Sequence, residues 1–185
     1  MELLEGLLSR VSQPVLVEPA PDEKCLTLAV QAALRAPDHR GLHPWRYIVI
    51  RDEARIKLGA ILAASQASQK PDLSDMEKRR LRHQPLRAPL LMVAINVVHA
   101  DLSVPEVEQV LSMGASIQNF MLAMHAQGYA AIWRTGVMAE DTGIRRVLGL
   151  QAEERIAGII YVGSVDKEGR HAVMLDAALY MSEWR

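Results

Sequence analysis

Leu90-Leu91-Met92-Val93-Ala94-Ile95-Asn96-Val97-Val98, the long segment Ser103 to Gly128, and then Tyr129-Ala130-Ala131-Ile132-Trp133-Arg134 form the stretch that decides the fold. The first run is apolar but for Asn96 and rich in strand-favouring residues, the pattern of a strand covered on both faces. Ser103 followed by Pro105 and Glu106 reads as a capping-box helix start, and Val107, Val110, Leu111, Gly114, Ile117, Met121 and Met124 then recur on one face. Gly128 stops that helix, and Tyr129 to Arg134 returns as a strand. A helix this long, with a broad apolar stripe containing Gly114 and Ala115, is expected at the centre of the molecule and across a dimer interface.

Working outward, the flanks choose between two architectures that both contain strand, helix and strand. Leu3, Leu4, Leu7, Leu8 and Val11 give an amphipathic helix over the first dozen residues, stopped by Pro14 and by Glu18-Pro19-Ala20-Pro21. A second helix starts at Asp22 and Glu23, whose charges suit an N-terminus, and runs to about Ala36. Ala36 to Pro44, bracketed by prolines, is a loop, and Tyr47 to Ile50 a strand. Glu53 to Gln69 and Asp75 to Gln84 read as helices of the expected mobile part, a lid over about Ile56 to Arg87. A short helix (about Ala139 to Leu148), a strand (Ile156 to Val162) and an irregular tail follow.

Helices and strands therefore intermix without a regular βα repeat, which predicts an α+β domain rather than a doubly wound sheet. No Gly-x-Gly-x-x-Gly follows a strand, and there is no P-loop and no internal repeat. A chain of 185 residues, half of them hydrophobic, can bury one ordinary core, so a single domain over 1–185 is expected, with 164–185 as a C-terminal arm.

Lys and Arg number 21 against 22 Asp and Glu, which leaves no broad cationic field for nucleic acid or anionic lipid. Cys25 is the only cysteine, which excludes an internal disulfide and a cysteine-built zinc or iron–sulfur centre. With no signal peptide at Met1 to Ser12 and no apolar run of about 18 residues, a cytoplasmic protein is expected. His39 and His43 are four apart, but Pro37 and Pro44 deny them a helix and no third ligand is evident, so no metal is expected. There is no Gly-x-Ser-x-Gly elbow, and the six histidines lack an evident Ser or carboxylate arrangement.

Three short motifs carry more. They are Arg10-Val11-Ser12 at the close of the opening helix, Arg35-Ala36-Pro37-Asp38-His39 leading to Pro44-Trp45, and Ala126-Gln127-Gly128 followed by Ile132-Trp133-Arg134-Thr135-Gly136. In kind, order and spacing they resemble the nitroreductase family, in particular its small YdjA-type branch. The resemblance implies a central mixed or antiparallel sheet flanked by helices, with FMN at the interface of an intertwined homodimer. It implies that Arg10 to Ser12 contact the phosphate and ribityl chain, that Arg35 contacts the flavin, and that His39 is donated to the flavin of the other subunit. Trp133, Arg134, Thr135 and Gly136 pass the ring, with a backbone N–H near Thr135 or Gly136 directed at flavin N5. The turn Ala123, Met124, His125, Ala126, Gln127 and Gly128 matches a region linked to nicotinamide-nucleotide binding. The implied activity is hydride transfer from NAD(P)H through the flavin to a small electron-poor acceptor such as a nitroaromatic or quinone.

The residue types suit that chemistry: a phosphate calls for guanidinium and hydroxyl donors, and a flavin needs no side-chain nucleophile. One position departs from the family. Val11 stands where the usual pattern has a second arginine, and Lys167, Arg170 or Arg134 are the candidates to replace the lost charge. Each residue also has a plainer reading: Arg10 and Arg35 as helix-end charges, His39 as a loop histidine bonded to Asp38 or to water, Trp133, Trp45 and Tyr47 as core, Gly136 as a turn. The competing functions are other flavin chemistry on the same fold, such as BluB-like flavin fragmentation or dehalogenation, and a flavin-binding or structural dimer without turnover.

Overall fold

β1 (Trp45–Arg51), β2 (Leu90–Val97), β3 (Ala130–Arg134) and β4 (Glu154–Gly163) pair in the order β1-β2-β4-β3, each neighbour antiparallel. The structure is a computed structural model describing residues 1–100, 103–166 and 169–185. In β2, Leu90, Met92 and Ala94 face one core and Leu91, Val93 and Ile95 the other, and all six are fully buried. That is why the strand reads as an unbroken apolar run although its pairing is antiparallel. Burying one such Leu, Ile or Met side chain contributes about 1.5–3 kcal/mol.

Helices form the outer layers. α2 (Glu23–Ala33) and α5 (Glu106–Ala126) cover the first face through Leu26, Ala29, Met113, Ile117, Phe120 and Met124. On the second face, α3 (Glu53–Gln69) packs with Leu58 and Leu62, and Met138 and Ile144 come from α6 (Val137–Glu140) and α7 (Thr142–Val147). α4 (Asp75–His83) lies on α3, with Ser74 and Glu77 closing a capping box at its start. α1 (Leu3–Ser9) touches α5.

Several expectations are corrected. The opening helix ends at Ser9, and α2 ends at Ala33, three residues short, because Pro37 and the turn before it already divert the chain. The long helix starts at Glu106 with Pro105 as its N-cap, so Ser103 does not mark its start. Its buried face is Gln109, Ser112, Met113, Ser116, Ile117, Phe120, Met121 and Met124, whereas Val107, Val110 and Leu111 are exposed. Two of its polar members are buried with their bonds made: Ser116 Oγ donates to Ala33 O at 2.9 Å, and the Gln109 amide spans His99 and Val104. The helix expected over Ala139 to Leu148 is two, broken at Asp141, whose carboxylate accepts from Ile144 N at 2.9 Å and caps α7.

Candidate functional site

The N-terminal segment runs along the start of β3. Gln13 N–H donates to Ala131 O at 3.3 Å, which sets Arg10 to Ser12 beside Ala130 and Ala131. Arg10, the C-cap of α1, lines a small recess with Met121, His125, Tyr129 and Ala131. Its Nη1 is buried with no hydrogen-bond partner among the described residues. An unsatisfied buried guanidinium N–H is costly, and an acceptor such as a phosphate oxygen would relieve it. His125 meets Ser9 Oγ at 2.9 Å, and burial, with the Arg10 charge second, pushes its pKa down. Val11 and Ser12 are half-buried.

A contact absent from sequence reasoning holds this corner. The Gln13 side chain, 8% exposed, donates from Nε2 to Arg170 O and accepts from Arg170 N, each at 2.9 Å. A side chain at Gly169 would strike the Gln13 amide, so the glycine permits the clasp. It brings Arg170 to a cavity of about 390 Å³ beside Gln13, Pro14 and Val15. Of the three candidates to replace the charge lost at Val11, Arg170 is therefore one residue beyond Ser12 through this contact, Arg134 lies at the far end of β3, and Lys167 lies outside the described residues.

At that far end, the Trp133 indole crosses β4 where Gly158 leaves room, and its Nε1 donates to Ala157 O at 3.2 Å. Trp133 is 40% exposed, so the reading of it as a core anchor is corrected: the indole lies over the edge of the sheet. The Arg134 guanidinium sits 5.7 Å above the Tyr161 ring, a cation–π contact. Thr135 and Gly136 are exposed, and Gly136 has φ +83° and ψ −161°, which only glycine adopts easily. From Ala131 to Thr135 is four strand steps, about 13 Å. The two motifs thus occupy the two ends of one strand, a separation suited to an extended mononucleotide.

Thr135, Gly136 and Val137 open on a cleft of about 800 Å³ whose other wall is α4 and the end of α3. Gln66 Nε2 donates to Asp141 Oδ2 at 2.7 Å, tying α3 to the turn between α6 and α7. The remaining motif lies elsewhere. Arg35 and His39 are exposed, and His39 Nδ1 meets Glu108 Oε2 at 2.6 Å on the first turn of α5, while Asp38 instead accepts from His43 N at 2.7 Å. His125, beside Arg10, is 17 residues further along α5, about 26 Å at 1.5 Å per residue. One chain therefore does not bring the three motifs together. The Ala123 to Gly128 turn is the C-terminus of α5, where Gln127 Nε2 donates to Cys25 O and Ala123 O; it adjoins Arg10 and is no part of the cleft.

Known proteins resemble the chain along most of its length. The sequence model of the nitroreductase family matches residues 16–164. The chain is similar to "Putative NAD(P)H nitroreductase YdjA" of Escherichia coli strain K12, 34% identical over 164 residues, covering 89% of this chain and 88% of that protein. A "Putative NAD(P)H nitroreductase" of Haemophilus influenzae is 31% identical, covering 95% and 96%. Among solved structures, a nitroreductase-like family protein of Bacillus cereus superposes with a TM-score of 0.83 at 21% identity, covering 100% and 96%. One from Desulfovibrio desulfuricans, in complex with FMN, gives 0.76 at 24%, covering 100% and 98%.

Proposed function

Because the chain belongs to the nitroreductase family, we propose that it is an FMN-dependent oxidoreductase, a single domain over 1–185 that works as a cytoplasmic homodimer. Bound FMN would supply the hydride relay from NAD(P)H to a nitroaromatic, quinone or similar small acceptor. The observation that carries the reading is the buried, unpartnered Nη1 of Arg10 at one end of β3, with the exposed Thr135-Gly136 backbone at the other.

In this reading Arg10 and Ser12 hold the phosphate and ribityl chain, and Arg170, drawn in by Gln13, replaces the charge missing at Val11. The backbone N–H of Thr135 or Gly136 is directed at N5, and Trp133 and Arg134 flank the ring. Arg35 and His39 belong to the site of the partner subunit. An antiparallel crossing of two α5 helices about a two-fold axis puts the Glu108 end of one beside the His125 end of the other. Val107, Val110 and Leu111, 62%, 49% and 67% exposed, with Gly114 adding no bulk, supply the apolar seam for that crossing, and the exposed leucines of α1 extend it. Beyond the Val17 to Ser164 bridge and the Gln13–Arg170 clasp, the end of the arm 164–185, with Val173, Leu175, Leu179 and Trp184 exposed, covers the partner. Ala123 to Gly128 supports Arg10; the nicotinamide enters over Gly136.

The test is the absorbance spectrum of the purified protein. A flavin spectrum that bleaches on adding NAD(P)H and returns on adding a nitroaromatic or quinone is expected. A folded protein that takes up no FMN overturns the reading.

A further inference from the structure

Five basic side chains, Lys70, Arg80, His83, Arg87 and Arg134, line the cleft above Thr135 and Gly136, against the carboxylates of Asp72 and Glu77. The chain as a whole carries a net charge of −1, so this concentration of positive charge is local. Glu77 is already engaged: its Oε2 accepts from Ser74 N at 2.9 Å and Ser74 Oγ at 2.6 Å. Asp141, behind the wall, gives one oxygen to Gln66 and the other to Ile144 N. Among the described residues, no salt bridge engages Arg80, Arg87 or Arg134, whereas Lys70 lies near enough to the Glu77 carboxylate to favour its charged form.

A surface built only for neutral aromatic acceptors has no use for several guanidinium groups lining one cleft without a carboxylate partner, since like charges gathered there repel. An oxyanion placed among them relieves that repulsion. We propose that this cleft is an anion site that selects a carboxylate or phosphate on the molecule entering it, through Arg80 and Arg87 with Lys70 and Arg134 adding field. The inference rests on the flavin reading of Thr135 and Gly136, because that reading puts the reacting ring at the cleft floor. Two sources share the required chemistry: an acidic group on the electron acceptor, and the additional phosphate that distinguishes NADPH from NADH.

The experiment compares 4-nitrobenzoate with the near-isosteric neutral 4-nitrobenzyl alcohol, and NADPH with NADH, in the wild type, in Arg80→Gln/Arg87→Gln and in Arg79→Gln, which lies on α4 outside the cleft. The wild type is expected to prefer an anionic partner in kcat/KM by roughly ten- to a hundred-fold, the scale of a charge-assisted hydrogen bond. That preference falls towards unity in the double variant and in raised salt, and persists in Arg79→Gln. Loss of the nitrobenzoate preference assigns the anion to the acceptor; loss of the NADPH preference assigns it to the donor. Ratios near unity in the wild type, or unchanged in the double variant, overturn the proposal. Should the double variant misfold, the salt series on the wild type decides alone, and a preference that raised salt leaves unchanged overturns the proposal. Calorimetric titration of 4-nitrobenzoate into flavin-free protein separates the two readings: heat that depends on Arg80 and Arg87 in a chain unable to bind FMN would retain the anion site and refute the redox function.

Discussion

Arg10 and His39 stand at opposite ends of α5 within one chain, and this makes the shared site testable by mixing two defective proteins. The 17 residues from Glu108 to His125 correspond to about 26 Å, too far for one flavin to reach both residues in the same subunit. Arg10→Ala removes the charge-assisted contacts to the phosphate, about 1.5–3 kcal/mol, which raises the Kd for FMN roughly ten- to 150-fold. His39→Ala is expected to weaken the same site from the other side. Neither homodimer then has an intact site. After random exchange of an equal mixture, about half of the dimers are mixed, and each mixed dimer pairs the intact Arg10 of one chain with the intact His39 of the other at one of its two sites. About a quarter of the wild-type flavin stoichiometry should return, measured by absorbance at an FMN concentration where neither variant alone is loaded. Exchange is verified by tagging the two chains differently and recovering the doubly tagged species. A doubly tagged dimer with no more flavin than the two parents would refute the donation of His39 across the interface, and with it the antiparallel crossing of α5.

Two further outcomes follow from single contacts. Leu111→Asp puts a charge in the middle of the apolar seam, so sedimentation should show a monomer and flavin should be lost with the dimer, although Leu111 lies away from the Arg10 pocket; a flavin-loaded monomer would contradict the shared site. Glu154, buried, takes a two-pronged contact from Arg46, at 2.5 Å from Nε and 2.7 Å from Nη2, so Glu154→Gln should cost about 1–3 kcal/mol, less than a fully buried pair because Arg46 is partly exposed. The Arg46 hydrogen bond holds the Glu154 carboxyl below its ordinary value of 4.5, so its contribution is present above that pH and lost as pH falls through the lowered native value. The gap in Tm between wild type and Glu154→Gln should accordingly close in acid; a gap that widens there would contradict the assignment.

The elements were legible where one local rule governs them. Glu53–Gln69 reads as a helix from end to end, Asp22 caps α2 through Cys25 N at 2.7 Å, and the unbroken run Leu90–Val97 announces a strand covered on both sides. α5 was legible as a helix but not as to which face is buried. Hydrophobicity nominates Val107, Val110 and Leu111, whereas the fold buries Gln109, Ser112 and Ser116, and the hydrogen bonds of Gln109 and Ser116 come from a turn not readable in advance and from a residue distant in sequence. The apolar face left outside is the one we assign to a second copy of the chain.

The site divides in the same way. The family resemblance of three short motifs singles out Arg10, Ser12, His39 and Gly136, and residue type agrees with it, because a phosphate needs guanidinium and hydroxyl donors and a close backbone approach needs glycine. Tertiary structure decided their grouping: β3 sets Arg10 and Gly136 at its two ends, α5 holds His39 about 26 Å from the Arg10 pocket, and Gln13 fixes the tail beside them. It also gathered the basic residues of α4 with Arg134 into one cleft. The physical reason is that capping, periodicity and backbone preference act within a few residues and are written in the local chain. Which charges face one another depends on packing between segments tens of residues apart, and no local rule encodes that distance.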